Sequence, residues 1–174
     1  MLGWWVAETL KESISFCHSR SMQETEMNPQ SDEPERLFLS ARSAASSRHV
    51  ILEDDGYGVW FYLSSGTDTK PVADCFLYSV VLPTEELVAP YGRKGPPILM
   101  RRFASEVAFQ PDVPANAHRF EFSADGHAVV VFVRGEPWAF VSHDDHRGYS
   151  KSISFGGPFG QPWDKALFER LFAS

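Results

Sequence analysis

Two apolar runs that meet across a short polar turn constrain the fold of this chain more than any other feature. The stretch at 127–141, HAVVVFVRGEPWAFV, is rich in β-branched and aromatic residues on both sides of Arg134-Gly135-Glu136-Pro137. Runs of this kind, separated by a few turn residues, predict a β-hairpin. The hairpin describes a fold and not a reaction, because no catalytic or cofactor motif accompanies it.

Further apolar runs, each bounded by turn residues, predict strands on both sides of this hairpin. HVILE and GVWFYLS flank Asp54-Asp55-Gly56, and VADCFLYSVVL follows a longer polar loop. These three runs predict an antiparallel meander. Later in the chain, Phe120 and Phe122 alternate with charged residues, and KSISF has the same alternation. We therefore expect a chain rich in β-strands.

The C-terminal segment PWDKALFERLF has the clearest helical pattern in the chain. Pro162 suits the first turn of a helix, and Asp164 favours the positive end of the helix dipole. The apolar residues at helical spacing are Trp163, Leu167, Phe168 and Leu171. We therefore predict an α+β fold, in which a mainly antiparallel, curved β-sheet is packed by a C-terminal helix that buries this stripe. An all-β sandwich is the alternative.

The N-terminal quarter of the chain differs in composition from the rest. Residues 19–47 are rich in Ser, Glu, Gln and Pro, which is the composition of a linker. Apolar residues near the start roughly follow helical spacing and suggest a short helix at 4–16. We predict a flexible N-terminal extension over 1–47 and a single β-rich domain over 48–174.

Charge and cysteine content exclude several classes of protein. The formal net charge of −7 disfavours binding to nucleic acid and to anionic membranes, because contacts with phosphate groups need a basic patch on the protein. The longest apolar run, from Ala128 to Val133, is far shorter than the roughly 20 residues that cross a bilayer. Cys17 and Cys75 lie too far apart in sequence to form a metal-ligand pair or a disulfide framework. We expect two reduced thiols, no cofactor and a cytoplasmic location.

Several short motifs stand in a characteristic order between residues 49 and 172. They are Glu53-Asp54-Asp55-Gly56, Trp60-Phe61-Tyr62, Ala73-Asp74 with Tyr78, Ser123-x-Asp125-Gly126, Pro137-Trp138-Ala139-Phe140, Arg147-Gly148-Tyr149 and Pro162-Trp163. In this order and spacing the chain resembles a family of small bacterial proteins of unknown function. The resemblance implies a compact, largely β domain and a bacterial source, and it brings no catalytic residues. The chain departs from the family pattern at Ser79, because the family has Asn after the residue that corresponds to Tyr78. This difference weakens any functional role assigned to the end of the third predicted strand.

Acidic and aromatic side chains supply the candidate binding residues. Asp54 and Asp55 have a local explanation in the turn, because Asx side chains bond neighbouring backbone groups there. Glu53 and Asp74 each flank a strand near aromatic residues, where a carboxylate could satisfy buried backbone or an Arg. Some of the strand aromatics should be core, whereas others should remain accessible at a binding surface. The candidate binding set is Glu53, Asp54, Tyr57, Trp60, Asp74 and Tyr149.

The densest polar cluster is His143-Asp144-Asp145-His146, whose imidazoles and carboxylates could bind zinc or a harder ion. Adjacent residues in an extended chain point to opposite faces, so a solvated loop is the competing interpretation. Nucleophilic catalysis has no support, because the Gly-x-Ser-x-Gly elbow is missing and Cys75 sits in an apolar strand, where we expect a core thiol.

Two functions follow from these observations. The first is a non-enzymatic protein-binding module, of immunity type, with a partner of basic character; acidic proteins can bind basic enzymes through complementary charge. The second is a metal-binding or hydrolytic enzyme that uses residues 143–146. The sequence names no catalytic residue for either.

Overall fold

The computed structural model describes residues 36–67, 70–90 and 96–172. The helix suggested at 4–16 lies outside these residues. Strand β1, Phe38–Arg42, falls within the segment assigned above to the flexible extension. It pairs along its whole length with the next strand, so the ordered domain begins before residue 48. The N-terminal boundary was placed too late because the polar composition of this segment hides a strand.

The first sheet contains four antiparallel strands in the order β1-β2-β3-β4 and includes the predicted meander. Its remaining strands are β2, His49–Asp54, β3, Gly58–Ser64, and β4, Pro71–Ser79. The turn between β2 and β3 is held by Asx side chains, as predicted. Asp54 Oδ1 accepts the Gly56 N–H at 2.7 Å, and Asp55 Oδ1 accepts the N–H groups of Tyr57 and Gly58, each at 2.8 Å.

The second sheet contains the predicted hairpin. Its strands, in the order β5-β6-β7-β8-β9, are β5, His118–Phe122, β6, Ala128–Val133, β7, Glu136–Ser142, β8, Arg147–Ser150, and β9, Gln161–Pro162. The pairs are antiparallel except that of β8 with β9. The β6–β7 turn has two residues, Arg134 and Gly135, with φ of 52° and 84°. Two positive φ values in a two-residue loop match the right-handed twist of a hairpin.

The main core lies between the two sheets. It consists of Val, Leu, Ala and aromatic side chains from β2, β3 and β4 on one side and from β6 and β7 on the other. Cys75 belongs to this core and is fully buried, as predicted. The Trp138 indole on β7 donates to the Leu77 carbonyl on β4 at 3.0 Å and thereby links the sheets. The predicted α+β class is confirmed, with the β structure divided into two packed sheets.

A second apolar cluster covers the opposite, outer face of β3 and β4. Trp60 and Phe76 meet edge to face with ring centroids 5.1 Å apart, and Phe159 packs on both. Tyr62 of β3 also belongs to this cluster, and irregular segments contribute Leu99, Met100, Ala108 and Ile153 to it. On β1 the outer face is open to solvent, since Phe38 is 56% exposed and its outward neighbours along the strand are also exposed. This difference between the two halves of one sheet face positions the site described below.

The C-terminal helix α1, Lys165–Phe172, confirms the predicted element but buries its apolar stripe only in part. Its N-terminus is capped by Asp164, whose Oδ1 accepts the Leu167 N–H at 2.9 Å. The helix packs on the fully buried ring of Phe140 through Trp163, Phe168 and Phe172. All stripe residues are half-buried, and the rings of this segment pack around Phe140, which lies on the central strand of the second sheet. Across the described residues, no helix combines the length and apolar character needed to cross a membrane.

Candidate functional site

Strand register aligns two rows of side chains on the outer face of the first sheet. One row contains Phe38, Glu53, Trp60 and Phe76, and the next contains Ser40, Ile51, Tyr62 and Asp74. Directly opposed residues of an antiparallel pair share a face, so each row runs from the open strand β1 to the covered strand β4. We call Phe38, Ile51, Glu53, Tyr62 and Asp74 the outer-face site.

Glu53 and Tyr62 form the hydrogen-bonded part of this site. The Tyr62 hydroxyl, on a side chain only 5% exposed, donates to Glu53 Oε1 at 3.2 Å. Burial raises the pKa of Glu53, the hydrogen bond from Tyr62 opposes that rise, and the charge of Asp55 adds to it. Burial also raises the pKa of Tyr62 well above its ordinary value, and the negative charges of Glu53 and Asp74 add to this effect. The tyrosine is therefore a neutral donor close to two carboxyl groups.

Asp74 is half-buried and carries no compensating partner in the described part of the chain. Burial raises the pKa of its carboxyl group. Neither a hydrogen bond nor an ion pair to this carboxylate is formed by the described residues. We expected Glu53 and Asp74 to bond buried backbone groups or an Arg. Glu53 instead accepts a hydrogen bond from the Tyr62 hydroxyl. Asp74 accepts none from the described residues. The ionised form of Asp74 thus pays for its burial without a local counter-ion.

Asp54 ends β2, and Asp55 and Tyr57 lie in the β2–β3 turn, close to the Glu53–Trp60 pair of the first row. The carboxylates of Asp54 and Asp55 accept hydrogen bonds from backbone N–H groups of the turn, which favours the local, structural interpretation of these residues. Burial raises the pKa of Asp55, whereas the backbone hydrogen bonds and the charge of Arg36 lower it. The Tyr57 carbonyl accepts from Ser79 Oγ at 3.1 Å and anchors the turn to β4.

Trp60 and Tyr149 do not join the outer-face site as accessible rings. Trp60 lies in the first row but is only 6% exposed beneath Phe159, so the expectation of an accessible ring is wrong there. Tyr149 lies on the second sheet, where its half-buried ring stacks on Phe140 and its hydroxyl donates to Asp145. The candidate binding residues are therefore divided between two sheets.

Tyr62, Phe38 and Ile51 are part of the site although the sequence did not single them out as binding residues. The signal for Tyr62 was its spacing of two from Trp60, which places both rings on one face of a strand. Phe38 had no such signal, because the strand that presents it was assigned to a linker. Cross-strand register, which single-sequence patterns do not give, is what brings Tyr62 opposite Asp74.

The loop that carries the predicted metal ligands connects β7 to β8. His143 contacts His146 edge to face, with ring centroids 5.5 Å apart, and contacts His127 at 5.9 Å. The Nδ1 atom of His146 lies 3.2 Å from the Val72 carbonyl oxygen. The Nδ1 atom of His143 is buried and has no hydrogen-bond partner among the described residues. Burial lowers the pKa of His143, and the charge of Arg48 lowers it further.

The predicted ligand set of His143, Asp144, Asp145 and His146 is not gathered around a common point. Asp145 accepts from the Tyr149 hydroxyl, and the histidines extend a row of rings toward His127 instead. Within residues 36–67, 70–90 and 96–172, no group of three or more His, Cys, Asp or Glu side chains is arranged to hold a metal ion.

Comparison of the chain with family models, with curated proteins and with solved structures gives no match. The resemblance to small bacterial proteins therefore stays a prediction. The function proposed below is supported by the geometry of the described residues.

Proposed function

We propose that this protein is a non-enzymatic binding module that recognises a protein partner of basic character, as an immunity protein recognises a toxin. The observation that carries the proposal is Asp74, a half-buried carboxylate beside Tyr62 and Glu53 without a cation among the described residues. A guanidinium or ammonium group from a partner would compensate this charge. Such a pair is stronger at a partly buried position than at an exposed one, because water screens it less.

The surroundings of the carboxylates also suit a protein interface. Phe38 presents an exposed aromatic ring on the same face, and Ile51 beside it is half-buried. Aromatic anchors next to a few charged groups are typical of interface centres. The net charge of −7 would attract a basic partner over a longer range and would repel nucleic acid. A cytoplasmic location of the protein is part of this proposal.

Affinity capture with matched variants tests the proposal. Wild type, Glu53→Gln/Asp74→Asn and the control Glu106→Gln/Asp112→Asn are immobilised and exposed to lysate of the source cells. Both variants lose two negative charges, but Glu106 and Asp112 are exposed residues outside the outer-face site. We expect one basic protein to be retained by wild type and control, released by salt, and not retained by the site variant. Equal retention by all three proteins would contradict the proposal.

Metal binding or hydrolysis at residues 143–146 is a second candidate function. It is favoured by the buried, unpartnered Nδ1 atom of His143 beside His146, because the lowered pKa of His143 keeps its ring in the neutral form that binds metals. Metal analysis of purified wild type and of His143→Ala/His146→Ala tests it. Stoichiometric metal in wild type alone would support this candidate, and its absence from both would remove it.

A further inference from the structure

The backbone of β1 has one edge bonded to β2 and one edge that points away from it. The Ser43 N–H donates to the Arg48 carbonyl at 2.8 Å, and the Asp54 N–H donates to the Leu37 carbonyl at 2.9 Å. These two bonds fix the phase of the antiparallel ladder, in which bonded and non-bonded residues alternate. The N–H and C=O groups of Leu39 and Ala41 therefore face β2, and those of Phe38, Ser40 and Arg42 face away from it.

The outward edge of β1 has no hydrogen-bond partner in the described part of the chain. The described residues form no hydrogen bond to the backbone N–H or C=O groups of Phe38, Ser40 or Arg42. The register with β2 is continuous and lacks a bulge that would turn the edge aside. The opposite edge of the sheet is different, since on β4 the Ser79 N–H donates to the Ala108 carbonyl and the Phe76 N–H donates to the Phe159 carbonyl.

Side chains next to this edge define what could occupy it. A strand added to β1 lies about 4.8 Å away and places every second side chain on the outer face. A residue opposite Phe38 would extend the row in which Glu53 is the next residue, whereas a residue opposite Ser40 would extend the row in which Ile51 and Tyr62 separate Ser40 from Asp74. A basic side chain opposite Phe38 can lie over the exposed ring and reach toward the Glu53 carboxylate.

We propose that the partner binds by adding an extended segment to the outward edge of β1, with a basic side chain opposite Phe38 and directed toward Glu53. This inference rests on the proposed function and specifies how the partner docks. Main-chain hydrogen bonds to Phe38, Ser40 and Arg42 supply affinity, and the Glu53 carboxylate, one strand in from Phe38, supplies the preference for a basic residue at that position.

Amide exchange of the full chain with a defined peptide tests the docking mode. The probe is a capped seven-residue peptide of alternating valine and arginine, and the control peptide has glutamate in place of arginine. We expect the amides of Phe38, Ser40 and Arg42 to exchange at least tenfold more slowly when the arginine peptide is bound, while Leu39 and Ala41 are protected in both states. Unchanged exchange of the three outward amides, or no binding of the arginine peptide, overturns the inference.

Substitution of Ser40 separates docking at the edge from charge recognition. Ser40→Pro removes an outward N–H but no bond to β2, and proline is tolerated in that position of edge strands. We expect it to weaken peptide binding about tenfold, the effect of roughly one lost hydrogen bond, whereas Ser40→Ala binds as wild type does. Equal affinity of Ser40→Pro and wild type overturns strand addition. Should the proline variant fail to fold, the exchange experiment decides.

The outcomes distinguish this inference from the proposed function. If the captured partner depends on Glu53 and Asp74 but leaves the β1 amides unprotected, the binding function stands and strand addition is wrong. If no basic partner is captured but the arginine peptide protects the outward amides, strand addition stands and the proposed function is wrong. If these amides are protected without peptide in a concentration-dependent manner and light scattering shows a dimer, a second copy occupies the edge and the inference is overturned.

Discussion

At the scale of single residues, we expect the charge of Asp74 to strengthen binding of a basic partner and to lower the stability of the free protein. Burial raises its pKa above 3.8, so its contribution to stability is fully present below that pH and is lost as pH rises through the raised pKa. At neutral pH the charged group therefore destabilises the free protein.

Asp74→Asn should make the free protein more stable at pH 7 by on the order of 1 kcal/mol, while it weakens binding of a basic partner. The gain should disappear near pH 3.5, where the wild-type carboxyl group is protonated as well. Urea denaturation at the two pH values measures both effects, with Asp112→Asn as the exposed control. A lower stability of Asp74→Asn at pH 7 would show that the carboxylate is already compensated.

His143 has the opposite pH dependence. Burial lowers the pKa of His143 from 6.5. The contribution of this residue to folding stability is therefore fully present above pH 6.5 and is lost as pH falls through the lowered pKa. Burial lowers the pKa of His118 as well, so both residues contribute to acid destabilisation. His143→Gln should therefore reduce, but not remove, the loss of stability between pH 7 and pH 5 in denaturation experiments. The exposed His49→Gln is the matched control, and an equal effect of both variants would refute a specific role of His143.

At the scale of elements, short sequence patterns correctly predicted the turns and hairpins, because these depend on residues that are close together in the chain. The Asp54-Asp55-Gly56 turn and the β6–β7 hairpin formed where turn residues interrupt apolar runs. Strand β1 was missed because FLSAR has a weak pattern next to a polar segment, and its pairing with β2 is what makes it a strand. Only part of the outer-face site was predicted, because the rest also depends on pairing between strands. Glu53 and Asp74 stood out by residue type, whereas Tyr62 is added by register.

Contact between β8 and β4 depends on a position where a side chain has no room. A Cβ atom on Gly148 would lie 2.2 Å from Cys75 Cβ and 2.4 Å from the Asp74 carbonyl oxygen. Gly148→Ala should therefore destabilise the protein by about 3 kcal/mol, the upper end of the range for overpacking.

Gly135 provides the comparison for this prediction. At Gly135, φ is +84° and no atom lies within 4 Å of the added Cβ. Gly135→Ala should cost only about 1 kcal/mol from its left-handed backbone. Thermal or chemical denaturation of both variants checks the difference, and equal losses would show that the two strands can move apart at little cost.

At the scale of the whole molecule, the two sheets are joined by contacts that sequence patterns do not encode. The Leu77 carbonyl on β4 accepts the Trp138 indole N–H at 3.0 Å, and the hydroxyls of Ser150 and Ser152 also donate to it. The irregular segments that cover β3 and β4 contribute single residues such as Leu99 and Phe159 to the second cluster. The strands were predictable from alternation, but their division into two packed sheets was not, because it depends on contacts between residues far apart in the chain.

The C-terminal helix shows how much stability depends on this packing. Phe140 is fully buried and contacts three aromatic rings of the C-terminal segment, whereas Trp163 is half-buried. Phe140→Ala should therefore cost about 3 to 5 kcal/mol, and Trp163→Ala about 1 to 2 kcal/mol, in proportion to the apolar area that each ring removes from water. Urea denaturation of both variants measures these losses. If Trp163→Ala cost as much as Phe140→Ala, the helix would be an integral part of the core; an unchanged midpoint would instead place the Trp163 ring outside the packed structure.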